Sequence, residues 1–135
     1  MTSKRTRLGM AVAAVAAFAA LVLATGCGIG STPQSKISTT TDDYLRALSS
    51  GDTKTACAQL TADARFRIGT SCDSAMARIA ASVGSSKLVD AADGSIDISV
   101  DGDKGTANVR KLGSTILLKK DGFDWKIDDG YGLTS

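Results

Sequence analysis

Residues 115–127 read Thr-Ile-Leu-Leu-Lys-Lys-Asp-Gly-Phe-Asp-Trp-Lys-Ile, and the dipeptide in their middle decides the fold class. Asp121-Gly122 between apolar-rich runs is a strong hairpin signal. The central positions of a two-residue turn favour positive φ, which Gly adopts freely and Asp tolerates. Before it, Thr115–Lys120 sends Ile116, Leu117 and Leu118 to both faces, as a central strand does. After it, Phe123, Trp125 and Ile127 face one way while Asp124, Lys126 and Asp128 face the other.

Upstream the period of two continues. Ser95–Asp101 alternates, with Ile96, Ile98 and Val100 inward and Asp97 and Ser99 outward. Asp101-Gly-Asp-Lys-Gly is a turn, Thr106–Leu112 returns antiparallel, and Gly113 marks a break. Lys87–Asp90 (Lys-Leu-Val-Asp) reads as a short first strand. The turn at 101–105 has a superficial likeness to a calcium loop. It lacks a ligand at the fifth position, where Gly105 stands, and a bidentate Glu at the twelfth, where Leu112 stands. No metal is expected.

Between residues 38 and 84 the period is helical. Ser38-Thr39-Thr40-Thr41 offers N-cap hydroxyls ahead of Asp42 and Asp43, and Tyr44, Leu45 and Leu48 then fall on one face until Gly51 stops the helix. Asp52 caps a short second helix through Ala56, Cys57 and Leu60. Thr61 caps a further turn through Ala64 to Ile68. The third helix carries Cys72, Met76, Ile79 and Val83 at i, i+4, i+7 and i+11, a stripe that reads as core. The expected fold class is α+β, with three N-terminal helices on a curved antiparallel sheet of four to five strands.

Ahead of this domain lies a leader. Lys4, Arg5 and Arg7 are followed by a charge-free apolar run over residues 10–24. Its length suits a secretory h-region and falls short of the roughly 20 residues of a permanent span. Extending it back to Leu8 leaves a retained helix as the alternative. Ala24-Thr25-Gly26-Cys27 resembles a bacterial lipobox, with Ala24 standing where Leu is usual. The resemblance implies cleavage of residues 1–26, acylation of Cys27, and a lipid-anchored protein on the extracytoplasmic face of the cell membrane. Residues 27–37 then form a lipidated tether and 38–135 the domain. Losing the leader leaves 13 cations against 14 carboxylates, a net charge of −1, from the formal +2 of the whole chain. No basic field remains to attract nucleic acid.

Cys57 and Cys72 are the thiols left once Cys27 is modified. In an exported chain an even pair implies a disulfide. The alternatives are a metal site, for which two Cys without His are a poor set, and a redox dithiol, which their spacing does not suit.

The Tyr44–Asp52 entry (Tyr-Leu-Arg-Ala-Leu-Ser-Ser-Gly-Asp) and the Asp121–Ile127 exit make residues 38–130 similar to the cone-shaped nuclear transport factor 2-like superfamily, and to small actinobacterial lipoproteins of that shape. Members include isomerases, dehydratases and non-enzymatic binding domains. The resemblance implies either a non-catalytic envelope module or a small enzyme with a buried Asp in the cone. Its partners would be a small apolar ligand, an envelope protein or a second copy of itself. The chain contains no His, so only half of the superfamily's catalytic pattern is available. Asp90, Asp93 and Asp97 are the carboxylate candidates, with solvated strand-edge positions as the competing reading. Tyr44 and Tyr131 could donate into a pocket. No cofactor motif is present.

Overall fold

Thr32-Pro33 starts the first helix: the Thr32 hydroxyl accepts from Ser35 N at 3.2 Å, and Pro33 takes the first-turn position where its missing N–H costs nothing. The computed structural model describes residues 31–69 and 71–133. The leader and Cys27 lie outside the described residues. No described helix is long and apolar enough to cross a membrane.

Five helices come first: α1 (Pro33–Ser50), α2 (Thr53–Ala58), α3 (Ala62–Ile68), α4 (Cys72–Val83) and α5 (Ser85–Ala92). Four strands follow: β1 (Ile96–Asp101), β2 (Lys104–Val109), β3 (Ser114–Asp121) and β4 (Asp124–Asp129), antiparallel in the order β1-β2-β3-β4. The protein is α+β, with five helices among the described residues where three were expected.

Three differences from the expected elements have physical causes. First, α1 begins at Pro33, so residues 33–37 of the expected tether are helical and Ser38–Thr41 lie inside the helix rather than capping it. β-Branched Thr residues are weak helix formers, but Ile37, Thr41, Tyr44, Leu45 and Leu48 make one buried face. Burying such a face is worth about 1.5–3 kcal/mol per large apolar side chain, which outweighs propensity. Second, Lys87–Asp90 is not a strand. It belongs to α5, where Leu88, Ala91 and Ala92 at i, i+3 and i+4 are buried and α5 packs on α1. Third, the hairpin register places Gly122 and Phe123 in the two-residue turn, because Asp121 pairs with Asp124. Phe123 therefore leaves the inward row and is 89% exposed, while Trp125 and Ile127 stay buried.

The inner sheet face is Gly105, Ala107 and Val109 of β2, Ile116 and Leu118 of β3, and Trp125 and Ile127 of β4, all buried. Helix α1 packs on β1, β2 and β4. Gly105 permits the approach: a Cβ there would collide with Ile37 Cδ1 and sit 3.3 Å from Trp125 Cζ3. The α2–α3 connection closes one sheet edge, since Ile127 N donates to Gln59 O and Thr61 N to Ile127 O, both at 2.8 Å. Cys57 in α2 and Cys72 at the start of α4 form a disulfide, a link across the segment that contains α3.

Candidate functional site

The space in front of the sheet, where a cone-shaped domain would carry a ligand, is occupied by side chains. Tyr44, Leu45 and Leu48 from α1, Leu60, Met76 from α4 and Leu88 from α5 are all buried there with Ile116 and Ile127. Helical spacing puts Tyr44 on the buried face of α1, and its hydroxyl donates to Tyr131 O at 2.5 Å with Met76 Sδ at 3.5 Å. Burial, then the charge of Tyr131, pushes the Tyr44 hydroxyl well above its ordinary range. It is a neutral structural donor, tying α1 to the segment after β4. The hydrogen bond goes to the backbone carbonyl of half-buried Tyr131, not to its phenol.

The three candidate carboxylates are all exposed and are not brought together. Asp90, near the end of α5, lies on the rim of an open groove of about 300 Å³ with Lys87, Lys111 and Leu133. Asp93, at the C-cap of α5, accepts from Arg46 Nη2 at 2.7 Å, and Arg46 Nε also reaches Asp42 at 2.9 Å. Hydrogen bonding to Asp42, then Asp93, raises the Arg46 pKa. Asp97, on the outer face of β1, pairs with Arg110 at 2.5 Å and raises its pKa in the same way. A general acid needs a carboxyl withdrawn from water; these three are solvated or paired with cations. Asp52 shows the opposite of an activated acid: hydrogen bonds from the Thr55 hydroxyl and then the Thr55 N–H hold its carboxyl below the ordinary range, as an N-cap should be held.

The turn after β1 has Gly102 at φ 60°, and Lys120 N donates to Asp103 O at 2.8 Å. It serves as a hairpin connection. Among the described residues no cluster of three or more His, Cys or acidic side chains is arranged to hold a metal.

The outer sheet face is mostly polar, with Asp97, Ser99, Asn108, Thr115 and Lys119 exposed beside one large apolar side chain, Leu117. An open cleft of about 260 Å³ lies between the start of α1 and β4, bordered by Ser31, Lys36, Gln59, Asp124 and Lys126 among others. Lys36 Nζ there donates to Phe123 O at 2.8 Å, and Lys126 Nζ to Ala58 O at 2.7 Å.

Two aromatic side chains stand out in solvent: Phe123 at the β3–β4 tip and Phe66 on α3, the latter 87% exposed. The sequence pattern sets Phe123 in one row with Trp125 and Ile127. The signal that would have moved it outward is the turn position of Gly122, at φ 63°, one residue later than the assumed register. No protein-family model matches the chain, and no curated protein or solved structure matches it either.

Proposed function

We propose that this chain is a lipid-anchored extracytoplasmic protein whose domain serves the cell envelope as a non-catalytic accessory or binding module. The observation that carries the anchor is the use of sulfur. The chain has three cysteines, and Cys57 and Cys72 are joined to each other. The third, Cys27, stands directly after Ala24-Thr25-Gly26 and an apolar run. A disulfide in so small a domain also suits an oxidising compartment outside the cytoplasm.

The filled interior supports the non-catalytic reading. An isomerase- or dehydratase-like activity would need a carboxylate at the base of a pocket, whereas Asp90, Asp93 and Asp97 face water. A small apolar ligand would need an enclosed apolar cavity, whereas the cleft at the start of α1 is open and bordered by Lys36, Asp124 and Lys126. Recognition through the exterior is the reading that remains, with an envelope protein or the bilayer as partner. The nuclear transport factor 2-like assignment belongs to this proposal. Its support is a helical first half followed by an antiparallel meander, with the first helix packed on the sheet.

Metabolic labelling with palmitate tests the anchor. The wild-type protein is expected to take up label and remain in the membrane fraction, and Cys27→Ser to lose the label. An unlabelled wild type, or a Cys27→Ser protein held as tightly as wild type, would overturn the lipid anchor.

A further inference from the structure

The structure brings an exposed aromatic tip close to the start of α1, the end of the domain nearest in sequence to Cys27. The domain begins at Ser31, and Ser31 borders the same cleft as Asp124 and Lys126. One turn into α1, Lys36 Nζ holds the carbonyl of Phe123. Thr40, a further turn on, donates to Trp125 O at 3.1 Å. The start of α1 and the β3–β4 tip thus lie together at one end of the domain, and Phe123 is exposed there.

The length of chain between this end and Cys27 is short. Because α1 starts at Pro33, only residues 28–32 intervene, and even fully extended they reach roughly 20 Å. A tether running to Ile37 would have allowed nearly twice that. An anchored domain is therefore held within a few side-chain lengths of the headgroups.

We propose that the β3–β4 tip, led by Phe123, docks into the interfacial region of the bilayer and orients the domain on the membrane. The inference rests on the membrane attachment proposed above. A single aromatic side chain would bind a bilayer too weakly to hold a free domain. Once the chain is attached the contact is intramolecular, and burying the Phe123 ring, worth about 1.5–3 kcal/mol, then has only to bias the orientation of a domain already at the surface. Charge contributes little: at this end Lys36, Lys104, Lys119, Lys120 and Lys126 are nearly balanced by Asp101, Asp103, Asp121 and Asp124. The docking is therefore apolar in origin, requires no anionic lipid, and resists salt.

The test uses the full-length lipoprotein reconstituted into phosphatidylcholine vesicles, with and without brominated acyl chains as short-range quenchers of indole emission. Phe123→Trp places a reporter at the tip, and Phe66→Trp places one at an equally exposed site on α3. The wild type supplies the baseline from Trp125, which is buried. The added emission of Phe123→Trp is expected to shift to the blue and be largely quenched by brominated lipid, at low and high salt alike. That of Phe66→Trp is expected to stay unquenched. A protein that floats with the vesicles but shows no quenching at 123, or equal quenching at 66, overturns tip docking and leaves the anchor standing. A protein that fails to float removes the anchor and the docking with it.

Discussion

Thr41 is the one place where a described side chain is at odds with its surroundings. It sits on the buried face of α1, and its Oγ1 is buried with no hydrogen-bond partner among the described residues. Its neighbours show how such hydroxyls are normally satisfied: Thr39 donates back to Ser35 O at 3.0 Å, and Thr40 to Trp125 O. An orphaned buried hydroxyl costs about 1–3 kcal/mol, and Val has nearly the shape of Thr without the polar atom. Thr41→Val is therefore expected to stabilise the domain by about 1 kcal/mol, read as a higher urea midpoint at unchanged slope. A lower midpoint would mean that the hydroxyl has a partner after all. Tyr44, one turn further along α1, is the contrasting case: its hydroxyl is equally buried but paired. Its raised pKa means that the folded state resists ionisation. The stability it contributes is complete below the ordinary tyrosine range and is lost as pH rises through and above about 10.

Between elements, the decisive approach is that of α1 to the sheet at Gly105. The residue sits opposite Val100 on one side and Leu118 on the other, where a strand would ordinarily carry a side chain. A Cβ would meet Ile37 and Trp125. Gly105→Ala is expected to destabilise the domain by about 1–3 kcal/mol through overpacking, measured by chemical denaturation. Pairing it with Ile37→Val, which shortens the side chain in the way, should recover part of the loss; no recovery would place the strain elsewhere. This approach was not legible in the chain. Gly105 reads as the end of a turn, and nothing local says that a helix some seventy residues earlier needs the space. The strands themselves were legible, because Ile96, Ile98 and Val100 alternate with polar residues and Ile116-Leu117-Leu118 is a short apolar run ahead of a turn signal. So were the caps at Asp52 and Thr61, whose partners lie three residues away. What failed was local ambiguity. Four residues at Lys87–Asp90 fit a strand as well as a helix until the burial of Ala91 and Ala92 is counted. Thr32-Pro33 is a sparser capping signal than the run of hydroxyls at 38–41, which sets the expected helix start too late. The candidate site fared least well, since the exposure of Phe123 turns on a one-residue shift in a hairpin.

At the scale of the whole molecule, the helical half depends on a covalent link where packing is thin. Helix α3 buries only Ala64, and it is held to β4 by Thr61, through Asp128, and by Arg67, through the Asp128 carbonyl. The Arg67–Asp128 ion pair beside them, at 3.9 Å and partly exposed, contributes little. The Cys57–Cys72 bridge spans that segment at a sequence separation of 15. Closing such a loop in the unfolded chain is worth about 3 kcal/mol. Replacing both cysteines by Ala is expected to lower the melting temperature by roughly 12–24 °C, on the scaling for a domain of this size. Calorimetry of the single variants discriminates the cause. If the link acts by restricting the unfolded chain, Cys57→Ala alone removes it completely, and the double variant loses little more. If the two sulfurs act through packing, Cys57 in its buried site and Cys72 at a helix end contribute separately, and the two losses add. Near-equality of single and double variants is the expected result; additivity would transfer the stabilisation from the link to its surroundings.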